Sequence, residues 1–154
     1  MRLLTFIIIQ AFFLCCSNSR KKTVFAIEYN NPISGIGTHI TYDSTIAIID
    51  YKTIGCFSSE TYKLTIVKSD EKMIAILNSY KRNYFSILEN VKLNSYKKFM
   101  HELKTINFGI GCTTTEYYSV QIGNEKFEIN DGGCNWNGFD KLRKILFVEK
   151  SMAY

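Results

Sequence analysis

Residues 118–129 read Tyr-Ser-Val-Gln-Ile-Gly-Asn-Glu-Lys-Phe-Glu-Ile. Two alternating runs, Tyr118–Ile122 and Lys126–Ile129, flank Gly123-Asn124, a pattern that predicts a β-hairpin closed by a tight turn. The segments on either side decide the fold class. Upstream, Tyr96, Phe99, Met100, Leu103 and Ile106 repeat at helical spacing and predict an amphipathic helix over residues 95–106, with Ser95 as its cap. Downstream, Asn137 caps a second predicted helix, 138–147, with Phe139, Leu142 and Leu146 on its buried face. Asp140 stands where it can reach back as in a capping box.

The chain ahead of the first helix reads as strands. Val24–Tyr29 ends at Asn30-Asn31-Pro32, and the loop Ile33-Ser-Gly-Ile-Gly37 leads to Thr38–Tyr42. A turn at Asp43-Ser44 precedes Thr45–Tyr51, whose unbroken apolar run predicts a central strand covered on both faces. Tyr62, Leu64 and Ile66 alternate with Lys63 and Thr65; Lys68–Lys72 then turns the chain and Met73–Leu77 returns. Over residues 73–92 strand and helix periods overlap, and the Asn, Ser and Tyr content favours two strands. Strands, a helix, a hairpin and a closing helix imply an α+β fold: a mainly antiparallel sheet of about six to seven strands with two helices packed on one face.

Composition excludes some functions. The 154 residues are 46% hydrophobic and 21% charged, the profile of one domain. Lys and Arg outnumber Asp and Glu by 19 to 14 without forming a long basic block, so a dedicated nucleic-acid binder is not indicated.

Residues 1–14 are one positive charge, Arg2, followed by a mostly apolar run that is shorter than the roughly 20 residues a membrane-spanning helix needs and contains Gln10. This reads as a signal peptide. The junction Cys15-Cys16-Ser17-Asn18 resembles the lipobox of bacterial lipoproteins, and the layout of the chain resembles small uncharacterised Bacteroidota lipoproteins. The resemblance implies cleavage before Cys16 and its diacylation, with Cys15 as the small residue preceding it; Cys15 is the alternative site, though Leu14 fits poorly before it. It divides the chain into a signal peptide (1–15), a lipidated Cys and polar tether (16–23), one α+β domain (24–148) and a C-terminal tail (149–154). Cleavage removes Arg2 and no acid, so the formal net charge falls from +5 to +4. No acidic cluster follows Cys16, so the expected location is the outer membrane, facing the periplasm.

Export makes the other cysteines informative. The predicted hairpin brings Cys112 and Cys134 to the same end of its strands, and Gly132 and Gly133 supply backbone freedom, so a Cys112–Cys134 disulfide is expected, contributing roughly 3 kcal/mol. Cys56 is either a competitor for one of these partners or a small buried hydrophobe. Metal binding is not expected: there is no C-x-x-C or H-x-x-x-H spacing, and His39 and His101 fall in separate elements. Asn135, Asn137 and Gly138 imitate part of a calcium loop, but Gly133 and Lys144 stand where its acids would be.

No catalytic residue or cofactor is assigned. There is no G-x-S-x-G elbow, Asp43, Asp50, Asp131 and Asp140 are scattered, and residues 33–37 lack the spacing and Lys of a phosphate cradle. Tyr29, Tyr42, Tyr51 and Tyr117 are the candidate exposed aromatics of a partner surface. The functional expectation is a noncatalytic, lipid-anchored envelope protein that binds an unknown envelope protein, as an inhibitor or immunity factor would. A binder of a small envelope ligand, glycan or lipid, and an enzyme of unfamiliar type, are the alternatives.

Overall fold

The computed structural model describes residues 21–28, 37–56, 59–80, 83–105, 111, 113–133 and 136–147. Strands β1 (Lys22–Glu28), β2 (Thr38–Tyr42), β3 (Ser44–Gly55), β4 (Ser59–Ser69), β5 (Lys72–Asn78) and β6 (Asn83–Ile87) precede helix α1 (Val91–Thr105). Strands β7 (Thr114–Ile122) and β8 (Glu125–Asp131) and helix α2 (Gly138–Phe147) follow. The fold is α+β: β6-β5-β4-β3-β7-β8 form an antiparallel sheet, and β1 pairs antiparallel with β2 as a two-stranded sheet beside it.

The helices cover one face. Alternation puts Ala47, Ile49 and Tyr51 of β3, Leu64 and Ile66 of β4, Ala75 and Leu77 of β5, and Tyr118 and Val120 of β7 toward them. Helix α1 answers with Tyr96, Phe99, Met100 and Leu103, the predicted stripe, and α2 with Phe139, Leu142, Leu146 and Phe147. Because β6 and β7 are separated by three strands, α1 spans the sheet between them, and its apolar stripe lies against the central strands.

The hairpin β1–β2 covers part of the opposite face. A short parallel bridge, Ile27 to Tyr84 and Glu28 to Phe85, joins β1 to β6. The far end of β2 nevertheless reaches β4: the Asp43 N–H donates to the Lys68 carbonyl (2.9 Å) and the Ser69 hydroxyl to the Thr41 carbonyl (2.7 Å). In a flat sheet these strands would lie well over 10 Å apart at about 4.8 Å per strand, so the hairpin folds back across β4–β6. Ala26 and Ile40 then close a second, smaller core with Val67, Ile74, Ile76 and Phe85.

Four local expectations change. The strand buried on both faces is β5, whose Ile74–Leu77 are all buried, rather than β3, whose Asp50 and Lys52 are exposed. Helix α1 begins at Val91, not at residue 95; Ser95 lies inside it and donates its hydroxyl to the Val91 carbonyl at 2.8 Å, as a helical Ser can. Asn90, at φ 43°, precedes the helix, and its carbonyl accepts the Asn94 N–H at 2.9 Å. Asp140 bonds forward to Arg143 (2.6 Å) and Lys144 (2.8 Å) rather than back as a capping box, because two cations one turn on outcompete a neutral amide. The Asn137 carbonyl accepts the Lys141 N–H at 3.0 Å, as the expected cap should. Residues 73–92 contain two strands, β5 and β6, before α1 begins.

Candidate binding face

The outer face of β4, β3, β7 and β8 beyond the hairpin is assembled in cross-strand rows. Register places Thr61, Lys52, Tyr117 and Asn130 side by side, and next to them Lys63, Asp50, Ser119 and Glu128. These are the alternate positions to Tyr51, Tyr118 and Ile129, so the alternation that builds the core also lays out this face. A groove of about 350 Å³ runs among Asp50, Lys52, Thr61, Tyr117, Ser119, Glu128 and Asn130. Its ion pairs are local and exposed: Lys63 to Asp50 at 3.8 Å and Lys126 to Glu128 at 3.2 Å. Pairs of this kind hold a geometry weakly and re-partner readily.

Beneath the face lies a hydrogen-bonded cluster. Glu116 accepts the Tyr51 hydroxyl on Oε1 at 3.1 Å and the Tyr118 hydroxyl on Oε2. Burial, and then the Glu116 carboxylate, push both phenols far above their ordinary range, so they remain proton donors. Tyr51 also stacks on Phe139 with ring centroids 4.1 Å apart. Trp136 stacks on Phe99 at 5.7 Å, donates its indole N–H to Glu102 at 3.1 Å and packs, half-buried, against the core. Asp131, opposite Glu116 in the ladder and 2% exposed, accepts the Gly133 N–H on Oδ1 at 2.7 Å; its Oδ2 has no hydrogen-bond partner among the described residues.

The four candidate tyrosines do not form one surface. Tyr117 is 38% exposed and lines the groove. Tyr51 is a correction: it is 6% exposed, its ring on the helix side of the sheet, because β3 places odd-numbered residues inward. Tyr42 is half-buried against the hairpin core, and Tyr29 lies outside the described residues. Sequence reasoning missed Phe25 (51% exposed), edge-on to His39 at 5.2 Å, and Tyr80 (98% exposed) beyond the end of β5. Phe25 is the alternate neighbour of the buried Ala26, a signal that two-fold periodicity carries; Tyr80 has no comparable signal.

Cys56 is exposed and unpaired, which removes the buried-hydrophobe expectation. It follows Gly55, the end residue of the β3 ladder, where the chain has left the sheet. Cys15, Cys16, Cys112 and Cys134 lie outside the described residues. The strands that lead to the last two are in place, with Glu116 opposite Asp131 at the open end of the hairpin. Asp43, Asp50, Asp131 and Asp140 stay apart in the fold: Asp43 takes the Asp70 N–H (3.1 Å), Asp50 faces Lys63, and Asp140 holds Arg143. His39 and His101 are both exposed, the latter in a groove with Lys97 and Lys104. Among the described residues no group of three or more His, Cys, Asp or Glu could hold a metal ion, and no helix is long and apolar enough to cross a membrane.

No family model, curated protein or solved structure matches the chain.

Proposed function

We propose that this chain is a noncatalytic, lipid-anchored protein of the cell envelope that binds another protein through the bare half of its outer sheet face. The observation that supports the reading is the division of that face. The β1–β2 hairpin closes it over β4–β6, whereas among the described residues nothing covers it over β3, β7 and β8 around the groove of about 350 Å³. A sheet face with rows of mixed charge, hydroxyls and one exposed Tyr suits a polar, specific protein interface of the kind an inhibitor or immunity factor presents. Tyr51 and Tyr118 beneath it, each bonded to Glu116, make the platform stiff. The anchor is Cys16, with Cys15 as alternative, on the lipobox resemblance, and the location is the periplasmic side of the outer membrane.

The test is capture from envelope extracts with the tagged full-length chain. A partner retained by the native chain and weakened about tenfold or more by Tyr117→Ala, the scale of an interface hot spot, is the expected result. Failure to retain any partner at any salt concentration overturns the reading. Cys16→Ser is expected to move the protein out of the membrane fraction; unchanged membrane association would remove the anchor from the proposal.

A further inference from the structure

Strand β8 ends the sheet. One of its edges is paired with β7 over seven residues without a register shift, and among the described residues no strand pairs with the other. Natural edge strands carry prolines, bulges or unmatched charges that discourage a second chain from adding on. Strand β8 has no proline and no bulge; its one cation, Lys126, is matched by Glu128 two residues along on the same face, and the remaining exposed charge, Glu125, stands at the turn end of the strand.

We propose that β8 pairs antiparallel with β8 of a second copy about a two-fold axis through Phe127, joining the two sheets edge to edge. Side-chain chemistry selects the register. Phe127 and Ile129 pack on the helix side in each copy, and keeping them there across the joint requires the axis to pass through a residue rather than between two. An axis at Lys126 would set Lys126 against itself, and one at Glu128 would set Glu128 against itself. An axis at Phe127 sets each Lys126 opposite the other copy's Glu128, twice by symmetry, with Phe127 against itself and Glu125 opposite Ile129 on the helix side. Only the partner of each charge changes, from the same strand at 3.2 Å to the strand across the axis. On the outer side the joint sets the Glu128 edge of each binding groove beside Lys126 and Glu128 of the other copy, so the two outer faces become continuous. Edge pairing of this kind joins the copies through main-chain hydrogen bonds over a small area. Confinement to a membrane raises the effective concentration at which it operates. The dimer does not depend on the partner protein proposed above and is tested without it.

The experiment uses the full-length chain in detergent, carrying two distinguishable affinity tags, with co-purification of one tag by the other as the readout. The native chain is expected to co-purify with itself. Lys126→Glu alone places Glu opposite Glu, and Glu128→Lys alone places Lys opposite Lys, so each is expected to co-purify with itself roughly tenfold less. Lys126→Glu mixed with Glu128→Lys restores opposite charges at both positions and is expected to recover native yield. Both positions are exposed, so circular dichroism of each variant is expected to match the native chain. No self-association of the native chain overturns the proposal. So does association insensitive to the single substitutions, as shared micelles would give, or a mixed pair that fails to recover.

Discussion

Glu116 is the residue on which most side-chain chemistry converges. Its two carboxylate oxygens serve two phenols, Tyr51 and Tyr118, so its removal strands the buried Tyr118 hydroxyl and leaves Tyr51 with Thr53 alone, whereas removing either phenol strands neither hydroxyl. A buried unsatisfied donor costs about 1–3 kcal/mol, against about 1 kcal/mol net for one lost bond. Glu116→Ala is therefore expected to destabilise by about 2–4 kcal/mol and Tyr118→Phe by about 1 kcal/mol in denaturant unfolding; equal losses would show that the carboxylate is not the hub. The same groups set a pH dependence. The phenols of Tyr51 and Tyr118 are raised by burial and by Glu116, and burial alone pushes Tyr96 up to about 12. A raised folded-state value means that the stabilisation is complete below the unfolded value of 10.0 and is lost as pH climbs through the folded one. Stability measured by denaturant is expected not to change through these groups up to about pH 10 and to decline above it. Phenolate absorbance from Tyr51 and Tyr118 should appear only as the fold opens.

At the scale of elements, two glycines make exact demands. Gly123 takes φ 57° in the two-residue turn between β7 and β8, first in the Gly-X order of a type II′ turn. Gly123→Val is expected to cost about 1–2 kcal/mol, because a branched side chain is disfavoured in that region. Gly138 opens α2 under the Trp136 ring, and a Cβ there would overlap the ring. Gly138→Ala should displace the chain's single Trp, break its bond to Glu102 and red-shift its fluorescence; an unchanged emission spectrum would contradict the packing. Helix α2 docks through Phe139, which is stacked on Tyr51 and nearly fully buried, so Phe139→Ala is expected to cost about 3–5 kcal/mol in the same unfolding assay. Its element was legible from sequence, since the caps and apolar spacing of 138–147 are local. The start of α1 was not: Asn90 adopts φ 43° to launch the helix at Val91, a backbone conformation that no side-chain pattern announces.

For the whole molecule, the anchor and the bridge are tested together by the intact mass of the mature protein with and without reductant. An acyl group on Cys16 and a gain of two hydrogens on reduction are expected for the Cys112–Cys134 pair. No mass change on reduction would rule out the bridge. Alternation along β3, β7 and β8 and the helical stripe of α1 fixed which residues face inward, and with them the α+β class, because period and burial are properties of consecutive residues. The same alternation contains Tyr51's burial, since it shares a side with Ala47 and Ile49, whereas a Tyr taken alone reads as amphipathic. The candidate face was less legible, since its rows unite β4, β3, β7 and β8, and register between distant segments is not written in any one of them. What the sequence by itself determined is the set of elements and their inward faces. Only the tertiary structure decided that β1–β2 folds back over β4–β6 rather than over β3, β7 and β8, because that choice depends on how Ala26 and Ile40 are best covered by residues far along the chain.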